Sequence, residues 1–165
     1  MNRRVTDEAA RLLDDLRACR LKVATVESCT GGLIAGALTE IAGSSDVVDR
    51  GFVTYSNEAK NELVGVPMAL IDTHGAVSEP VARAMAEGGL ERSRADITVS
   101  VTGVAGPGGG SAEKPVGLVH FGCAARGTET LHQRHEFADR GRGFIREETV
   151  LQAFRMIREA MAQRP

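Results

Sequence analysis

The stretch KVATVESCTGGLIAGALTEI, residues 22 to 41, changes its periodicity halfway along. Residues 22 to 27 are a short β-branched run, whereas Leu33, Ile34, Ala37, Leu38 and Ile41 recur at the spacing of one helical face. Between them lies Ser28-Cys29-Thr30-Gly31-Gly32, a turn with two glycines. A strand that runs through a tight turn straight into a helix is half of a β-α unit, so the fold class expected is α/β.

Working outward, Thr6 followed by Asp7 and Glu8 predicts an N-cap, with Ala9, Leu12, Leu13 and Leu16 on the buried face of a first helix. GFVTY, residues 51 to 55, reads as a second strand, and Ser56 or Asn57 caps a short helix ending near Gly65. Lys60 then falls in or near that helix's first turn. His74-Gly75 reads as a turn, and Ser78-Glu79-Pro80 opens another helix, with proline where a missing N–H costs nothing. Residues 96 to 101, DITVSV, form the next strand, and a glycine-rich loop from Gly103 to Pro115 separates it from VGLVHFGCAA and TETLHQRHEF, two antiparallel neighbours. A last helix begins near Gly143, with Val150, Phe154, Ile157 and Met161 on one stripe. This order predicts a single domain over residues 1–165, a three-layer α/β/α sandwich around a mixed, mostly parallel sheet. Ligands of such folds bind in the loops after the strands.

Composition removes several classes of function. The net charge is -2 and the basic residues are scattered, which argues against a nucleic-acid partner. Five phenylalanines, one tyrosine and no tryptophan give no base-stacking platform. No apolar run approaches the roughly 20 residues that cross a bilayer, and MNRRVTDEAA lacks the apolar core of a secretory signal, so a cytoplasmic protein without membrane contact is expected. Cys19, Cys29 and Cys123 show no CxxC spacing and read as free thiols, implying no metal site. The expected partner is a small molecule; a homo-oligomer stays open.

Ser28 sits where a strand meets a helix start, whose free N–H groups can hold an oxyanion or phosphate. Ser28 has two readings, nucleophile or simple helix cap. The four histidines are poor candidates for its base: His120, His132 and His135 fall in the hairpin strands, and the spacing of the last two points them to opposite faces. Lys60 offers another base, because burial and the positive end of a helix both favour a neutral amine; the alternative is an ordinary exposed lysine. Tyr55, five residues earlier, is either a proton relay for that amine or a packing residue. Thr102 to Ser111 holds glycines enough for close backbone approach to a ligand, yet matches neither a P-loop nor a dinucleotide fingerprint.

Together VESCTGGLIAGALTEIAGSSDVV, GFVTYSNEAK, HGAVSEPVARAMA, VTGVAGPGGGS and EKPVGLVHFG resemble the C-terminal domain family of the competence-damage protein CinA, and in particular its stand-alone nicotinamide-nucleotide amidases. The resemblance covers about residues 5 to 162. It implies an amidase acting on nicotinamide mononucleotide without metal or organic cofactor, with Ser28 as nucleophile, Lys60 as base and Tyr55 as helper. It further implies that Thr30, Gly31, Thr102, Gly103, Gly106 and Pro107 line the pocket. The family's Gly-Asp-Arg run stands here as Arg140-Gly141-Arg142, which makes Arg142 the candidate for the substrate phosphate. Two rivals remain at this point: a pyridine-nucleotide-binding module without turnover, linked to competence or DNA damage, and a thiol hydrolase using Cys29.

Overall fold

The computed structural model describes every residue from Met1 to Pro165. In chain order it contains α1 (Arg3–Ala18), β1 (Val23–Glu27), α2 (Leu33–Thr39), β2 (Val48–Val53), α3 (Asn57–Val64), α4 (Met68–His74), α5 (Glu79–Glu91), β3 (Ile97–Gly103), β4 (Leu118–Ala125), β5 (Leu131–Glu136) and α6 (Arg142–Gln163). The sheet order is β2-β1-β3-β4-β5. β1 pairs in parallel with both β2 and β3, whereas β4 is antiparallel to β3 and to β5. β4 alone runs against the other four strands, so the sheet is mixed as expected.

All five residues of β1 are buried, as both faces of a central parallel strand require cover. On one face, Leu12, Leu13 and Leu16 of α1, Ile34 and Leu38 of α2, and Phe154 and Ile157 of α6 pack against Val23, Ile97, Val99, Val101 and Phe121 of the sheet. On the other, Val64 of α3, Ile71 of α4, and Val81 and Met85 of α5 enclose Val26 and Val66. These are the two outer layers of the sandwich.

Three local expectations shift. The first helix starts at Arg3, because the Asn2 side chain accepts from the Arg4 N–H, while the Thr6 hydroxyl donates to the Asn2 carbonyl from inside the helix. β2 covers 48 to 53, so Thr54 and Tyr55 leave the sheet and lead into α3. The residues before Gly75 form a short helix, α4, which ends at His74. β1, β2 and β3 all end on the same edge, at Glu27, Val53 and Gly103, where the loops converge.

Candidate active site

At that edge the chain leaves β1 through Ser28, whose N–H extends the ladder to the Val101 carbonyl at 3.1 Å. The backbone then reverses at Gly31 and Gly32, with φ of +58° and +100°, values that side chains rarely tolerate. The Gly31 N–H closes the turn on the Ser28 carbonyl at 3.0 Å. Ser28 is almost buried, at 8% exposure.

The start of α2 differs from the open anion site that its glycines suggest. The fully buried Glu27 carboxylate occupies it. Its Oε2 accepts from Thr30 Oγ1 (2.6 Å), Gly32 N (3.1 Å) and Ile34 N (3.0 Å), and its Oε1 from Ala35 N (2.8 Å) and Thr25 Oγ1 (3.2 Å). Five donors compensate the desolvated charge. The Thr30 N–H is left over, donating to no group of the protein.

Lys60 is 1% exposed, among the largest fully buried side chains. It stands in the first turn of α3, whose N-cap Ser56 accepts from the Ala59 N–H at 3.0 Å. Its Nζ lies 2.9 Å from the Thr54 carbonyl, 3.3 Å from the Tyr55 carbonyl and 3.0 Å from Ser28 Oγ. Two of these three neighbours can only accept. A neutral amine has two N–H donors and one lone pair; with both carbonyls served, the lone pair is left for the Ser28 hydroxyl. Burial pushes the Lys60 amine below the ordinary lysine value, opposed in part by the neighbouring Cys29. Burial likewise raises the Cys29 thiol to about 12, which keeps it protonated.

Ser28, Tyr55, Lys60, Thr102, Gly103 and Arg142 line one cavity, and Cys29, Asn57, Ala76, Val77 and Ala105 complete its wall. The Thr102 hydroxyl donates to the Ala76 carbonyl at 2.9 Å, tying the β3 end to the segment before α5. Thr30, Gly31, Gly106 and Pro107 stand outside the wall: Thr30 is buried with its hydroxyl on Glu27, and the Gly106 carbonyl accepts from Arg142 Nη1 at 2.9 Å. Arg142 also donates through Nη2 to the Tyr55 hydroxyl at 3.3 Å, which leaves three guanidinium N–H groups without a protein partner. Tyr55 is 62% exposed at the cavity mouth.

Glu27, Asn57 and Arg146 escaped the sequence reading. An acid at the end of an otherwise apolar strand was a signal for Glu27. Asn57, a cap candidate by sequence, yields that job to Ser56 and lines the cavity instead. Arg146 gave no signal; one turn beyond Arg142 on α6, it donates from Nε to the Cys29 carbonyl (3.2 Å) and from Nη2 to the Thr30 carbonyl (2.8 Å). The histidines do not line the cavity. His120 Nδ1 and His132 Nε2 approach to 2.9 Å on the hairpin, where burial, with the His132 ring next in importance, lowers His120 to about 4. No three His, Cys, Asp or Glu side chains cluster as metal ligands, and no helix is long and apolar enough to cross a membrane.

The CinA C-terminal domain model matches residues 5–161. A CinA-like protein of Mycobacterium marinum is 50% identical over 159 residues, which cover 96% of this chain and 36% of that protein. A nicotinamide-nucleotide amidohydrolase PncC of Enterobacter agglomerans is 57% identical over 116 residues, 70% of this chain and 71% of that one. The crystal structure of the competence/damage inducible protein CihA from Agrobacterium tumefaciens superposes with a TM-score of 0.92 at 55% identity, covering 96% of each chain. The chain spans roughly a quarter to a third of the length of several curated relatives that it matches, from 26% to 36%. Fold, site-bearing motifs and a domain match that runs almost end to end agree, and the chain belongs to the CinA C-terminal domain family.

Proposed function

We propose that the chain is a cytoplasmic amidase that hydrolyses the carboxamide of nicotinamide mononucleotide by a serine-lysine mechanism. The observation that carries this reading is the Lys60 amine, buried, held by two carbonyls and 3.0 Å from Ser28 Oγ. The name of the Enterobacter agglomerans relative supports the substrate.

In the first half-reaction Lys60 takes the Ser28 proton as Oγ bonds to the amide carbon. The oxyanion is held by the unoccupied Thr30 N–H; Gly31, occupied by the Ser28 carbonyl, contributes only to the turn. Lys60 returns the proton to the amide nitrogen, the carbon–nitrogen bond breaks and ammonia leaves. Water, deprotonated by the same amine, attacks the ester; the proton goes back to Ser28, and the acid is released. The net change is amide plus water to carboxylate plus ammonium. No step calls for a metal or organic cofactor. At the cavity mouth the three unpartnered N–H groups of Arg142 take the phosphate, and Tyr55 holds that guanidinium in place.

Ammonia release from nicotinamide mononucleotide, its riboside and free nicotinamide tests reaction and phosphate recognition together. Turnover of the mononucleotide above the other two is expected. Binding without ammonia release would instead support a nucleotide-binding module. A thiol mechanism is disfavoured by the Cys29 thiol, which burial keeps protonated.

A further inference from the structure

Two successive carbonyls after Ser28 point at the same side chain. Arg146 Nε takes the Cys29 oxygen and Nη2 the Thr30 oxygen, so one rigid guanidinium plane bridges two peptide planes. In a trans peptide the N–H points away from the carbonyl of the same plane. Fixing the Cys29 carbonyl toward α6 therefore fixes the Thr30 N–H in the opposite direction. Fixing the Thr30 carbonyl does the same for the Gly31 N–H, which is seen on the Ser28 carbonyl. The Thr30 side chain is anchored separately, through Oγ1 on Glu27. Thr30 is thus held at its side chain and at both peptides, yet its own N–H has no acceptor although the residue is fully buried. Buried amides without partners are rare in folded proteins. Arg146 does not line the cavity and spends its two engaged donors on the backbone after Ser28, which separates it from Arg142, a lining residue bonded to the Gly106 carbonyl and the Tyr55 hydroxyl.

Resting on the amidase reading above, we propose that Arg146 is a positioning residue that aims the Thr30 N–H at the oxyanion formed when Ser28 attacks. It acts through the backbone and touches no substrate. Its positive charge is also felt at the elbow, where it partly offsets the rise of the Cys29 thiol. Lysine cannot replace it, because an ammonium serves as a point charge rather than a fork across two planes.

The test is steady-state ammonia release by the full chain and by Arg146→Ala and Arg146→Lys, with circular dichroism melts to follow folding. Arg146→Ala should lower kcat on the order of 100-fold, as loss of an oxyanion donor does, with KM nearly unchanged. The acid limb of the pH profile should not move, since Lys60 is untouched. Added methylguanidinium should restore part of the lost kcat, and Arg146→Lys should fall between the two. A folded Arg146→Ala with normal kcat, or a loss confined to KM, overturns the proposal. Where Arg146→Ala does not fold, Arg146→Lys decides: wild-type kcat in that variant overturns it equally. A wild-type chain that releases no ammonia sinks the amidase reading itself, a different outcome from an active wild type insensitive at Arg146.

Discussion

Tyr55 meets Lys60 through its backbone and Arg142 through its phenol: the Tyr55 carbonyl lies 3.3 Å from Lys60 Nζ, and its hydroxyl lies 3.3 Å from Arg142 Nη2. The ring is turned to the cavity mouth, so the side chain orients the arginine while the main chain orients the amine.

Tyr55→Phe therefore removes a partner of Arg142 and leaves the Lys60 contact intact. We expect kcat within a few-fold of wild type and a rise in KM for the mononucleotide. A fall of kcat by 100-fold or more, the range of a lost proton-transfer group, would restore the phenol as a relay.

Ser28→Ala should abolish ammonia release while the fold and the binding of nicotinamide mononucleotide persist, because the hydroxyl is small and the role proposed for it is covalent. Cys29→Ala should remain active, and iodoacetamide should have little effect on turnover, since the buried thiol stays protonated. An inactive Cys29→Ala beside an active Ser28→Ala would move the nucleophile to sulfur.

The base role proposed for Lys60 requires a neutral amine. Its folded value lies below the ordinary lysine value, about 10.4, so the rate should rise with pH through an ionisation in that lower range. Lys60→Arg should be nearly inactive, because guanidinium does not give up its proton. The same shift affects stability: between the folded and unfolded values the unfolded chain binds more protons, so stability should rise with pH across that window. Lys60→Met should flatten that slope in urea titrations. An arginine variant with substantial activity would rule out the base.

Arg142→Ala should raise KM for the mononucleotide by tenfold or more, about 1.4 kcal/mol, and barely alter kinetics on the riboside, which has no phosphate. Equal losses on both substrates would mean that the arginine only braces the Gly106 carbonyl and Tyr55.

Glu27→Gln should destabilise the chain by about 3 kcal/mol, since the carboxamide loses the charge that binds five donors and turns its own N–H₂ toward some of them. A drop in Tm of roughly 6 to 12 °C is the corresponding reading for a chain of this size. A melt unchanged within 2 °C or so would mean that the carboxylate is dispensable for holding the α2 start.

The α/β class and the sandwich were legible because the apolar periods of residues 22 to 41, the hairpin and the last helix are all strong. The Ser28 and Lys60 candidates were legible too, since both sit at element ends where local rules act. The Glu27 cap was harder to read. Its partners at 25, 30, 32, 34 and 35 are close in sequence, but only the three-dimensional turn converts a strand-end acid into an acceptor for a helix start. Arg146 is harder still, because its contacts to Cys29 and Thr30 span 116 or 117 positions and depend on how α6 crosses the sheet. The start of the first helix was misplaced because Asn2 and Thr6 both carry capping side chains, and only one of them lies outside the helix.

β1 and β2 are adjacent parallel strands with Glu27 opposite Val53, and the Thr54 N–H continues that ladder to the Glu27 carbonyl at 2.7 Å. Ser28 follows one strand and the Thr54 and Tyr55 carbonyls that hold Lys60 follow the other, so the Ser28–Lys60 distance is a direct product of strand register. A slip of one residue would carry the hydroxyl and the amine apart by about 3.3 Å. Recovery of turnover during refolding therefore cannot precede the zipping of this strand pair, and a chain that has collapsed without closing it should be compact and silent.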